Sequence, residues 1–128
     1  MKTKNFKIAF ATDDGLTISA HFGRAALYQV IEISDGQITG IEQREKPSHH
    51  HVHSHSHEEH GSHEARHVSM TDVIQDCSFV VARGMGYGMY NHLQSLGKEA
   101  IVTTTLDIES AAKEIIEGSI QNHVEKLH

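Results

Sequence analysis

Three strand-like runs of apolar and polar side chains occur in the first 45 residues, and the first of them alternates with the period of two typical of β-strands. Residues 6–12 form one alternating run, and it ends at the turn signal Asp13-Asp14-Gly15. Residues 27–33 form a second run, which Ser34-Asp35-Gly36 connects to residues 37–45. This half of the chain therefore predicts three antiparallel strands, the last two as a hairpin.

Strand-like and helix-like segments alternate in the second half of the chain. Short continuous apolar runs predict strands at residues 78–82 and 99–104, as expected where helices cover both faces of a sheet. Helical patterns predict helices at residues 68–75, 86–95 and 108–117, with Gly97 and Gly118 at C-caps. Strands that alternate with helices imply parallel strands joined by right-handed crossovers. The pattern predicts an α/β fold with a mixed sheet and the element order β-β-β-α-β-α-β-α.

Length and composition indicate one domain over residues 1–128, with no internal repeat. No run approaches the ~20 apolar residues of a membrane span, and Met1-Lys2-Thr3-Lys4 lacks the apolar segment of a signal peptide. Cys77 is the only cysteine, which excludes an internal disulfide and fits a reducing compartment. The formal net charge of −6, with no cluster of Lys and Arg, argues against nucleic-acid binding. We therefore expect a cytoplasmic protein in which Cys77 is either a buried thiol or a ligand.

A histidine-rich loop at residues 48–67 separates the third predicted strand from the first predicted helix, and it holds nine of the 13 histidines. They are His49, His50, His51, His53, His55, His57, His60, His63 and His67. Their spacing suits one side of an extended segment or one stripe of a helix, and either could present imidazoles to a metal. Zn and Ni are the candidate ions, and neither spacing selects between them. The alternative is a solvated polar linker without selected metal affinity.

Within this loop, His63-Glu64-Ala65-Arg66-His67 matches the His-Glu-x-x-His pattern of zinc metalloproteases. A chance match is expected among so many histidines, and the preceding residues are polar or Gly rather than part of a packed helix. We therefore do not assign a protease activity.

A glycine-rich segment, Arg83-Gly84-Met85-Gly86-Tyr87-Gly88, follows a predicted strand and opens a predicted helix. Glycines let backbone N–H groups approach a ligand, and a helix N-terminus favours an anion. The spacing matches neither a Walker A loop nor a dinucleotide fingerprint. The alternative is a tight strand-to-helix turn without a ligand.

Other polar residues lie between the first two strands and near the last helix. His21 and Arg24 are expected to face the same ligand as the glycine-rich segment if the strand ends converge, although a lone histidine is more often structural. Asp13, Asp14 and Asp107 are the carboxylates for two-metal chemistry, but a turn or N-cap role explains each more simply.

Four short motifs carry a family resemblance through their order and separation. They are residues 8–15 (Ile-Ala-Phe-Ala-Thr-Asp-Asp-Gly), His21-Phe22-Gly23-Arg24-Ala25, Asp76-Cys77 before an apolar strand, and Arg83-Gly84-Met85-Gly86. Together they resemble the dinitrogenase iron-molybdenum cofactor biosynthesis family over roughly residues 7–118. In that family the position of the histidine-rich loop is variable.

The resemblance implies a ribonuclease H-like α/β fold and a non-enzymatic carrier or scaffold. Its cargo would be an iron–sulfur or iron-molybdenum-type cluster, or a precursor, and its partners a cluster donor and an apo-enzyme. The single cysteine excludes a four-iron cluster held by four thiolates of one chain. The cofactor-binding residues expected on this basis are His21, Arg24, Cys77, Arg83, Gly84, Met85, Gly86 and Gly88.

Two other functions compete with the carrier. One is a divalent-ion buffer or metallochaperone in which residues 48–67 bind Zn or Ni and the folded domain is an anchor. The other is an enzyme acting on a phosphorylated small molecule at the glycine-rich segment, and no general base is placed near that segment by the sequence.

Overall fold

A mixed sheet lies at the centre of the structure. The computed structural model describes residues 5–46 and 70–128. Its strands are β1 (Asn5–Thr12), β2 (Leu27–Ser34), β3 (Gln37–Glu45), β4 (Phe79–Ala82) and β5 (Glu99–Val102). Across the sheet they lie in the order β3-β2-β1-β4-β5; β2 pairs antiparallel with β1 and β3, and β4 pairs parallel with β1 and β5. The predicted antiparallel strands and parallel pairs are confirmed.

Helices cover both faces of the sheet. Ala9 of β1 packs in one apolar layer with Leu93 of α1 (Tyr87–Ser95), whereas Phe10 packs in the other layer with Ile115 of α2 (Ile108–Glu117). Because successive strand residues point to opposite faces, β1 is buried on both sides. The predicted mixed α/β arrangement is confirmed. None of the helices among the described residues has the length and apolar content needed to cross a membrane.

The ends of α2 follow the capping signals in the sequence. The Asp107 side chain accepts a hydrogen bond from Ser110 N at 2.9 Å, an N-cap that typically stabilises a helix by about 1 kcal/mol. Gly118 ends the helix with a φ of 77°, and Gly97 follows α1 with a φ of 81°. Both glycines therefore have the left-handed conformation predicted for C-caps.

The helix predicted at residues 68–75 ends earlier than predicted. In its described part, residues 70–72 are helical and the next four residues form turns. The carbonyl of Val73 accepts a hydrogen bond from Arg44 Nη1 of β3 at 2.8 Å. This tertiary contact satisfies a carbonyl that a continued helix would use, so the prediction from local pattern was wrong there.

The strand predicted at residues 99–104 also ends early, at Val102. Thr103 N still donates to Ala82 O of β4 at 3.0 Å. The Thr103 hydroxyl then accepts a hydrogen bond from Thr105 N at 3.1 Å, which turns the chain away from the sheet.

Candidate functional site

Three loops meet at the carboxyl ends of the parallel strands, where α/β sheets commonly bind ligands. They are residues 13–26 after β1, residues 83–86 after β4 and residues 103–107 after β5, and we call them the carboxyl-end loops. Backbone bonds hold them together: Ile18 N donates to Leu106 O at 2.8 Å, and residue 83 N donates to residue 19 O at the same distance. The convergence of strand ends predicted from the sequence is therefore present.

Gly84 is in very close contact with the first of these loops. A Cβ atom at this position would lie 2.1 Å from the carbonyl oxygen of Ala20, far inside van der Waals contact. The Gly84 carbonyl also accepts a hydrogen bond from Phe22 N at 2.9 Å. Glycine is therefore needed at residue 84 so that the two loops can approach each other.

His21 and Arg24 are presented on the surface by a short 3-10 turn, Phe22–Arg24. The Ser19 hydroxyl accepts from His21 N and donates to His21 O, both at 3.1 Å, and Arg24 N donates to the same carbonyl at 3.1 Å. The backbone under both side chains is thus held firmly, although the side chains themselves are exposed. The turn that carries this imidazole and this guanidinium is bonded to Gly84 through Phe22 N, and the binding of a ligand by the two side chains stays a prediction.

Lys46 lies underneath this turn and was missed by the sequence analysis. Its side chain is buried, its ammonium donates to Phe22 O, and Nζ lies 4.4 Å from the centre of the Phe22 ring and 5.5 Å from that of Tyr28. Burial lowers the pKa of Lys46 to about 8. A lysine at the end of an exposed strand carries no sequence signal for burial, because its contact partners come from another loop and from β2.

Comparison with known proteins places this geometry in a family. A family model described as dinitrogenase iron-molybdenum cofactor matches residues 4–118. The chain belongs to this family. The resemblance drawn from four short motifs is confirmed.

Several known proteins are similar to this dinitrogenase iron-molybdenum cofactor domain over most of its length. An uncharacterised protein of Methanocaldococcus jannaschii, MJ0580, is 25% identical over 121 residues, which is 94% of each chain. The crystal structure of a candidate dinitrogenase from the same organism has a TM-score of 0.67 at 13% identity, covering 94% of this chain and 96% of that one. The apo form of the orange protein from Desulfovibrio gigas has a TM-score of 0.64 at 17% identity, with 91% of each chain covered. The two structures show a shared fold.

The glycine-rich segment of this family member is engaged in contacts within the protein. Arg83 Nε donates to Ile18 O at 2.8 Å, so part of the guanidinium holds the loops together. The Met85 side chain is buried in the apolar core and does not form the surface beside His21. Gly86 is the N-cap of α1, and Gly88 lies in its first turn. The cofactor contacts expected of these residues stay predictions.

Cys77 is not brought together with the other expected binding residues. It precedes β4, at the opposite end of that strand from Gly84, and a four-residue strand spans about 13 Å. Its thiol is 2% exposed, and burial raises its pKa to about 12, with Asp76 adding to the shift. The structure agrees with a buried thiol and not with a ligand in the carboxyl-end loops.

The three carboxylates singled out by the sequence have structural partners. Asp13 Oδ1 accepts from Ala26 N at 2.8 Å, and Asp14 Oδ1 accepts from Thr17 N at 2.8 Å. The backbone N–H groups of Thr17 and Leu16, which both donate to Asp14 Oδ1, lower the pKa of Asp14 to about 2. With Asp107 at the start of α2, all three have the turn or cap roles that were the simpler explanation.

The nine histidines of residues 48–67, and the His-Glu-x-x-His match among them, lie outside the described residues. Zn or Ni binding there stays a prediction. Over residues 5–46 and 70–128, no group of three or more His, Cys, Asp or Glu side chains is placed to hold a metal ion.

A cleft of about 800 Å³ lies at the opposite edge of the sheet, beside the β2–β3 turn and the end of α2. Its lining includes Phe6, Phe79 and Ile116 but none of His21, Arg24 or residues 83–88. We place the candidate site at the carboxyl-end loops because the exposed cation and imidazole are there.

Proposed function

We propose that this protein is a non-enzymatic carrier that binds an iron–sulfur or iron-molybdenum-type cluster, or its precursor, and delivers it to an apo-enzyme. Family membership supports a role connected with the iron-molybdenum cofactor. The observation that carries the site is the pair His21 and Arg24, exposed on a turn that is bonded to the Gly84 loop.

The chemistry of this pair suits a cargo that must be released. A single imidazole is a replaceable ligand, and a guanidinium donates several hydrogen bonds to the negative charge of a sulfide-bearing cluster. Lys46 lies beneath the same turn and adds positive charge at neutral pH, since its pKa is about 8. The Ser19 hydroxyl holds the turn, so the backbone that carries both side chains is in place before the cargo arrives.

The proposal includes a ribonuclease H-like relationship for the sheet, supported by the order β3-β2-β1-β4-β5. It also includes two protein partners, a cluster donor and an apo-enzyme that receives the cargo. No residue is assigned to a chemical step, because the site holds and releases its cargo without transforming it.

Anaerobic reconstitution tests the carrier. The full chain is incubated with ferrous iron and sulfide, with and without tetrathiomolybdate, then desalted and examined by elemental analysis and optical spectroscopy. We expect iron and sulfide to remain with the protein. Arg24→Ala should weaken retention about tenfold, since one charge-assisted hydrogen bond contributes about 1.5 kcal/mol.

Lys113→Ala is the matched control for charge, because Lys113 is an exposed cation on α2 whose ammonium lies 4.0 Å from Glu109. His21→Ala should lower retention, whereas Lys113→Ala should not. If the full chain retains neither iron nor sulfide under any of these conditions, the proposed carrier function is wrong.

A full-length variant with Asn at all nine histidines of residues 48–67 separates the carrier from the ion buffer. The carrier predicts that cluster retention persists in this variant. Zinc or nickel bound by the natural chain and lost in the variant, with no cluster retained by either, would favour the buffer.

A further inference from the structure

The segment after α2 is anchored to the open edge of β5. The Asn122 side chain accepts from Val102 N at 2.9 Å and donates to Ala100 O at 3.0 Å, so it pairs with the strand as a neighbouring backbone would. His123 N adds a bond to Val102 O at 2.7 Å. We call residues 119–128 the tail segment.

The far end of the tail segment is anchored at the candidate site. His128 N donates to Met85 O at 3.2 Å, and His128 O accepts from Tyr87 N at 3.0 Å, at the start of α1. Leu127 packs against the apolar core that contains Met85. The tail segment thus crosses from β5 to the glycine-rich segment and reaches the N-terminus of α1, which the sequence predicted to favour an anion.

Two histidines therefore border the same short stretch of backbone. His21 directly precedes Phe22, which is bonded to Gly84, and His128 is bonded to Met85 and Tyr87. Both histidines are exposed. The tail segment lies beyond residues 4–118, the part of the chain that matches the family.

We propose that the tail segment forms a third wall of the cargo site, next to the loop that carries His21 and the loop that contains Gly84. We propose also that His128 supplies a second imidazole ligand to the cluster. This inference rests on the proposed carrier function. Imidazoles from two separate segments would fill two of the terminal ligand positions of a cluster, and sulfide from solution would fill the remaining ones. The tail segment anchors through backbone atoms of His128, so its imidazole is not needed for docking.

His128→Ala tests this ligand directly because it keeps the backbone N–H and C=O that dock the tail segment. In the same anaerobic reconstitution, we expect His128→Ala to weaken retention of iron and sulfide at least about tenfold, since loss of even an indirect partner of a metal ligand typically weakens binding that much. His128→Cys should restore retention, because a thiolate is a strong ligand for iron.

His123→Ala is the matched control from the same segment. Its imidazole Nδ1 lies 3.0 Å from Glu125 Oε2, and its backbone N–H is bonded to Val102 O of β5 rather than to the glycine-rich segment. Hydrogen exchange at the Tyr87 amide reports docking of the tail segment, and equal protection in the natural chain and in His128→Ala shows that only the imidazole has been removed.

The outcomes separate this inference from the carrier itself. If His128→Ala retains as much iron and sulfide as the natural chain, or more, while the tail segment is still docked, His128 is not a ligand. The proposed carrier function is unaffected by that result. Failure of the natural chain to retain any cluster overturns the carrier and this inference together. An unprotected Tyr87 amide in the natural chain overturns the third wall whatever the retention.

Discussion

Replacing Gly84 with alanine perturbs the tightest contact between the carboxyl-end loops. The new Cβ would lie 2.1 Å from Ala20 O and 3.3 Å from the carbonyl carbon, and both are backbone atoms that no rotamer change can move. A normal carbon–oxygen contact is at least about 3.3 Å, so the loops must separate by roughly 1 Å. That displacement also weakens the bond from Phe22 N to Gly84 O.

The expected cost follows from these two effects. Overpacking typically destabilises by about 1–3 kcal/mol, and a lost backbone hydrogen bond by about 1 kcal/mol, so we expect about 3 kcal/mol for Gly84→Ala. With a urea m-value of about 2 kcal/mol/M, the unfolding midpoint should fall by about 1.5 M. Urea unfolding followed by far-UV circular dichroism measures this shift.

Gly23→Ala is the matched control. Gly23 belongs to the neighbouring turn, and a Cβ there would have no neighbour within 4 Å. Its unfolding midpoint should stay within about 0.3 M of the natural chain, corresponding to the ±0.5 kcal/mol of most surface substitutions. If both variants unfold at the same urea concentration as the natural chain, the close approach at Gly84 is not a real constraint.

Three further predictions concern titratable groups. The folded chain releases the Lys46 proton near pH 8, whereas the unfolded chain keeps it until about pH 10.5, so the unfolded state binds more protons between these values. The free energy of unfolding of the natural chain should therefore rise over that pH window relative to that of Lys46→Met. The same pH dependence in both proteins would contradict the burial of the Lys46 ammonium. Arg44 donates to the Asp76 carboxyl and holds its pKa far below its ordinary 3.8. Asp76→Asn should therefore lower the free energy of unfolding at neutral pH, and this difference from the natural chain should disappear in acid. Urea titrations at several pH values measure this difference. The Cys77 thiol should resist Ellman's reagent in the folded chain and react on unfolding, because it is buried and its pKa is raised to about 12; fast reaction of the folded chain would refute this.

Local patterns were sufficient for most of the described fold. Short strand-like runs bounded by turn signals identified β1, β2 and β3, because these signals are properties of the residue order. The burial of β1 on both faces was decided by the helices that cover the sheet. Asp107 and Gly118 marked both ends of α2, because capping is satisfied within a few residues. The four motifs were sufficient for the family because their order and spacing are also properties of the linear chain.

The candidate site was predicted in part. His21, Arg24 and Gly84 were expected to converge, because parallel strands bring their carboxyl ends to one edge. Cys77 was grouped with them only through the family motif, and the structure places it at the other end of β4. The strand predicted at residues 78–82 lies between Cys77 and Gly84, so the order of the chain already indicated that they are at opposite ends of it.

By itself, the amino-acid sequence determined most of the elements, the two-sided core and the family, since each depends on periodicity or on motifs in linear order. Only the tertiary structure decided that Lys46 is buried beneath Phe22 and that the tail segment brings His128 to Tyr87. These contacts join residues 24 and 41 positions apart in the chain. Their formation depends on the order of strands in the sheet and on the path of the loops, which no local pattern encodes.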